Sequence, residues 1–108
     1  MNMNMTKKVK QLLKKHINIV KKMYPELYIE VDTEGDDILV SVDSWDIADE
    51  AEYEALIVTF IREYHKKGYF NICWGVDDNL TCDNLSLLED VVNTPEIENS
   101  QEKRVVNF

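Results

Sequence analysis

A stripe of Val9, Leu12, Leu13, His16, Ile17, Val20, Met23 and Tyr24 recurs at three- and four-residue steps, the spacing of an amphipathic helix. Lys7, Lys14, Lys15, Lys21, Lys22 and Asn18 fall away from that stripe. The pattern predicts a helix over Thr6 to Tyr24. Pro25 ends it, because proline has no amide hydrogen and disfavours helical geometry in the residue before it.

The period then changes to two. Leu27, Ile29, Val31 and Thr33 alternate with Tyr28, Glu30 and Asp32. Beyond Glu34-Gly35-Asp36-Asp37, the residues Ile38, Val40 and Val42 alternate with Leu39, Ser41 and Asp43. Alternation on both sides of a glycine-containing tetrapeptide predicts an antiparallel hairpin with one core face and one acidic face.

From Asp46 to Lys67 a helical stripe returns in Tyr53, Leu56, Ile57, Phe60, Ile61 and Tyr64. Asp49, Glu50, Glu52 and Glu54 crowd its start, while Arg62, His65, Lys66 and Lys67 crowd its end, the order a helix dipole favours. Gly68 suits the left-handed position that closes a helix. A strand is expected over Tyr69 to Val76, with Phe70, Ile72, Trp74 and Val76 on one face. Asp77-Asp78-Asn79 reads as a turn, and Leu80-Thr81-Cys82 as a short fourth strand. A two-residue loop there would set Cys73 opposite Cys82. Leu85 to Val92 is expected to be a short helix, with Ser86 and Glu89 at capping-box spacing. Residues 1–95 are expected to form a single domain and 96–108 a loosely ordered tail.

The fold class that follows is α+β, in the order α-β-β-α-β-(β)-α. The expectation is a mostly antiparallel sheet of three or four strands, with two long helices packed on one face. Tyr28, Glu30, Asp32, Leu39, Ser41, Asp43, Tyr69, Asn71 and Cys73 are then expected on the other face. A half-covered sheet with aromatics among acids suits a protein-binding surface.

Charge sharpens that picture. The 108 residues carry 12 Lys plus Arg against 21 Asp plus Glu, a net charge of −9. The charges come in blocks: Met1 to Tyr24 has lysines and no acid, while Pro25 to Ile61 and Gly68 to Glu102 have acids and no base. An acidic surface repels DNA and RNA, whose phosphates require a positive footprint. The one basic helix has no Arg on its polar face and no Trp or Phe on its apolar face, so its lysines read as a solvated or internally compensated face.

Several chemistries lack their signatures. The acids around the hairpin tip, Asp32, Glu34, Asp36 and Asp37, do not match the spacing of a calcium-binding loop. His16, His65, Cys73 and Cys82 lack the tight pairing of zinc ligands. Phosphate-binding glycine loops, nucleophile elbows and aromatic RNA-binding strands are missing from the sequence. No catalytic residue, metal or cofactor is therefore expected. Two cysteines are too few for a disulfide framework, and the N-terminal lysines are not followed by the apolar stretch of a signal peptide, which points to the cytoplasm.

The remaining candidate is a contact surface. Trp45 sits between acids, just after a strand and just before a helix, and tryptophan is enriched at binding hot spots. Its plainer role is to pack over a helix start that Asp46 caps. The expected partner-binding residues are Glu30, Asp32, Asp36, Asp37, Asp43, Trp45 and Asp46, and the expected partner is another protein with a basic surface. An inhibitor or immunity-type protein, phage-encoded kinds included, fits this charge and size. The alternative is a small enzyme or ligand-binding domain with a cleft near Trp45 and Trp74. Neither nucleic acid nor membrane is expected as a direct ligand.

Overall fold

The computed structural model describes residues 6–91. The first helix, α1 (Lys7–Met23), begins where the Thr6 hydroxyl accepts the Val9 N–H at 3.3 Å and ends at Tyr24, just ahead of Pro25. Val9, Leu12, Leu13, His16, Ile17 and Val20 are its buried residues, as the stripe predicts.

Strands β1 (Ile29–Glu34) and β2 (Asp37–Val42) form the expected antiparallel hairpin, with Ile29 opposite Val42 and Glu34 opposite Asp37. The intervening Gly35 takes a φ of 60°, which a two-residue hairpin turn requires and glycine adopts without steric cost.

The helix expected over Asp46 to Lys67 is divided into α2 (Trp45–Ala48) and α3 (Ala51–Lys66). Ile47 and Tyr53 are both buried. In one continuous helix, residues six apart point about 120° away from each other. Glu50, extended at ψ 137°, reorients the chain so that both side chains reach the core. The Ser44 hydroxyl caps α2 by accepting the Ile47 N–H at 3.2 Å. Asp46 does not cap; it lies exposed in the first turn. At the far end of α3, Gly68 has a φ of 85°. The Gly68 N–H donates to the His65 carbonyl and the Tyr69 N–H to the Tyr64 carbonyl, the bond pair of a Schellman cap.

Strand β3 (Ile72–Val76) runs parallel to β2, with Val40 opposite Trp74, so the sheet order is β1-β2-β3 and the sheet is mixed. The expectation of a mostly antiparallel sheet is corrected here. The stretch between β2 and β3 contains α2 and α3, and a helical crossover of that length brings the chain back to start β3 in the same direction. Phe70 lies ahead of the strand and is 74% exposed, so it does not join Ile72, Trp74 and Val76 on the covered face.

Among the described residues there is no fourth strand. After β3 the chain crosses to the opposite edge of the sheet and touches β1 through one parallel bridge, Glu30 with Asn84. The bridge stays single because the Asp83 carboxylate, instead of a further backbone group, accepts the Ile29 N–H. Cys73 is therefore not opposite Cys82. It faces Leu39 in the ladder, and both cysteines are free and exposed. A 3-10 helix, Ser86–Val91, stands where the short third helix was expected and buries Leu88. The expectation of a loose tail over 96–108 falls outside the described residues.

The chain is thus a small α+β domain. Ile29, Val31, Ile38, Val40, Val42 and Ile72 form one buried cluster with the stripes of α1 and α3. Among the described residues, no helix covers the opposite face of the sheet. No described helix is long and apolar enough to cross a membrane.

Candidate functional site

Strand alternation sends Glu30, Asp32 and Glu34 of β1 and Asp37, Leu39 and Ser41 of β2 to the open face, because their neighbours Ile29, Val31, Ile38, Val40 and Val42 are buried. Asp32, Glu34 and Asp37 are exposed; Glu30 is half-buried. Asp43, just past β2, is half-buried and accepts the Tyr28 N–H at 2.9 Å. Asp36 is at the exposed hairpin tip, where its carbonyl accepts a 2.5 Å bond from the Asn71 side-chain amide. Trp45 is 57% exposed at the start of α2. Asp46 beside it is exposed as well.

Of the residues singled out in the sequence, Glu30, Asp32, Asp37 and Asp43 share one face. Asp36 borders that face at the tip, and Trp45 and Asp46 follow its far end. The strands contribute no Lys or Arg to this face. The charge that the strands give it is uniformly negative.

Comparison with protein-family models, curated proteins and solved structures finds no match for this chain.

A second constellation was not visible in the sequence. Inside the core, the Trp74 indole N–H donates to the Tyr64 hydroxyl at 2.9 Å. The same hydroxyl lies 2.9 Å from His16 Nδ1, and His16 Nε2 lies 3.0 Å from a Glu63 carboxylate oxygen. The His16 ring stacks on Phe60 at 4.0 Å and 8°. One assignment satisfies every group: Tyr64 donates to Nδ1, and a neutral His16 carrying its proton on Nε2 donates to Glu63. Burial pushes His16 below its usual value despite the opposing pull of Glu63, which agrees with the neutral ring. The hydrogen bond from His16 holds Glu63 below the usual carboxylate range. Burial raises the Tyr64 hydroxyl.

This tyrosine–histidine–carboxylate chain has the order of a proton relay. Its tyrosine is fully buried and its histidine nearly so. The hydroxyl is satisfied on both sides, and with Trp74 the chain joins α1, α3 and β3 as a core network.

Trp74 also borders a groove of about 340 Å³ with Tyr53, Ile57, Val58 and Val76. Glu54 is the one charged residue along its wall, Ala48 of α2 borders it, and Trp45 is not among its lining residues. Among the described residues, no group of three or more His, Cys, Asp or Glu is placed to hold a metal ion.

Proposed function

We propose that this chain is a small acidic protein-binding module of the cytoplasm that occupies a basic surface on a partner protein, in the manner of an inhibitor or immunity-type protein. Phage-encoded proteins of that kind belong to the same reading. The observation that carries it is the open sheet face, where Glu30, Asp32, Glu34, Asp37 and Asp43 stand together without a cation from the strands. A field of one sign speeds encounter with a surface of the other and weakens as salt rises. Trp45 supplies exposed aromatic area next to Asp46, the combination that an interface centre uses as an anchor. The lysines of α1 lie on the opposite side of the sheet. Two of them are partly neutralised internally, Lys15 by Glu63 at 3.5 Å and Lys21 by Asp83 at 3.0 Å.

The second reading, a small enzyme or ligand-binding domain, has the groove beside Trp74 in its favour. Its size falls in the range of small-molecule sites, yet it offers a ligand one charged group.

The test uses the parent chain to capture a partner, followed by association kinetics. Reversing Asp32, Glu34 and Asp37 together to lysine changes exposed side chains, at the loss of one exposed bond, from the Thr33 N–H to the Asp32 carboxylate. The triple variant is expected to associate about tenfold or more slowly at low salt, and the gap should close as salt rises. Equal rates at low and high salt would leave the acids a role in solubility alone. Tight binding of bare duplex DNA at physiological salt would overturn the proposal.

A further inference from the structure

The two edges of the sheet are treated differently. On the β1 edge, Asp83 accepts the Ile29 N–H, Asn84 accepts the Val31 N–H and donates to the Ile29 carbonyl, and the Asp32 carboxylate accepts the Thr33 N–H. The chain covers that edge itself. On the β3 edge nothing comparable is found among the described residues. The Ile38 N–H donates to the Asn71 carbonyl and the Asp77 N–H to the Val42 carbonyl. Odd-numbered residues of β3 thus face β2, and strand alternation turns the N–H and C=O of Ile72, Trp74 and Val76 outward. An edge with open donors and acceptors is a template for another strand.

That edge runs beside apolar surface. Val58, 47% exposed, lines the groove with Ile57, Trp74 and Val76, and Phe70 at the other end of β3 is 74% exposed. The groove brings the start of α3 to the end of β3, through Tyr53 and Val76, and the rings of His65 and Phe70 meet at 5.2 Å at the opposite end. The helix therefore runs antiparallel to the strand. Charge along it is bipolar: Glu54 lies one turn before Val58 and Arg62 one turn after it. Both are exposed, and neither is ion-paired among the described residues.

The geometry points to a second copy of this chain as the occupant, with β3 pairing antiparallel to its own equivalent about a two-fold axis that passes beside Trp74 and Val58. Trp74 is the middle residue of β3 and Val58 the midpoint between Glu54 and Arg62, and both line one groove. A single axis can serve strand and helix at once. It sets Glu54 of each copy against Arg62 of the other and Val58 against Val58, the self-complementarity that a two-fold interface requires. A basic peptide would suit the acidic open face better than this bipolar edge. The net charge of −9 on each copy opposes approach at long range and is screened beyond about 8 Å at physiological salt.

Sedimentation equilibrium of the full chain at physiological salt is expected to show a concentration-dependent dimer of twice 12.7 kDa. Glu54→Arg alone, and Arg62→Glu alone, should each weaken it about tenfold or more by opposing like charges across the axis. The double variant restores both pairs and should recover the parent affinity. Because both side chains are exposed, circular dichroism should report an unchanged fold in all three variants. A monomer at every concentration would overturn the proposal. So would a dimer indifferent to the single reversals, or one that the double reversal fails to rescue.

Discussion

His16 appears in the sequence as a polar member of an otherwise apolar stripe. Its partners, Tyr64, Glu63 and Phe60, lie more than forty residues away, and no local spacing signals such a network. The open-face acids are different. Alternation alone places Glu30, Asp32 and Asp43, because a strand of period two leaves each side chain one choice of face; Asp37, expected in the turn, opens β2 instead. The buried network gives stability a definite pH dependence. Below His16's ordinary 6.5, the unfolded chain takes up a proton that the folded chain resists, so stability falls as pH drops through that value. Glu63, held below its ordinary 4.5, continues the loss beneath 4.5. Tyr53, pushed up to about 12 by burial, and Tyr64, also raised, act at the other end. The unfolded chain ionises them first, near 10, so their contribution is lost as pH rises above 10. Thermal melts across both limbs should show losses below 6.5 and above 10. In His16→Gln the limb between 6.5 and 4.5 should become shallower, while the alkaline limb persists.

At the scale of elements, both ends of α1 and the C-terminal end of α3 were legible because their signals are local: Thr6 ahead of the stripe, Pro25 beyond it, Gly68 closing α3. The interruption at Glu50 was not, since neither glycine nor proline marks it. It arises from the joint burial of Ile47 and Tyr53, a demand of the core and not of the chain. Strand direction was illegible for a related reason. The alternation in β3 is the same whether its neighbour runs with it or against it, and the crossover decides. The interruption leaves α3 with a weak start, for Glu50 occupies the cap position in extended geometry without a side-chain cap bond. Shortening it by one methylene keeps the charge and brings the carboxylate to the reach of a good cap. Glu50→Asp is expected to stabilise the domain by about 0.5–1 kcal/mol, read as a shift of the urea midpoint with unchanged slope.

Across the whole molecule, the order of elements and the single core could be read from the sequence, whereas the return of residues 83–84 to the far edge of the sheet could not. That return is held by Lys21, whose ammonium bonds the nearby Leu27 carbonyl at 2.7 Å and, across 62 positions of the chain, Asp83 at 3.0 Å. The clasp so formed has a dynamic consequence. It can open by releasing a few polar contacts, leaving the β1–β2 ladder and the helices in place, and such local openings cost less than global unfolding. Amide hydrogens at Ile29 and Val31, which bond only to the clasp, should therefore exchange with solvent deuterium sooner than that of Val40, enclosed between β1 and β3. Asp83→Ala should hasten exchange at Ile29 and Val31 well beyond its effect on Val40. Equal acceleration at all three would mean that the clasp opens only when everything does. On the expected outcome, the covered edge of this sheet is covered only part of the time.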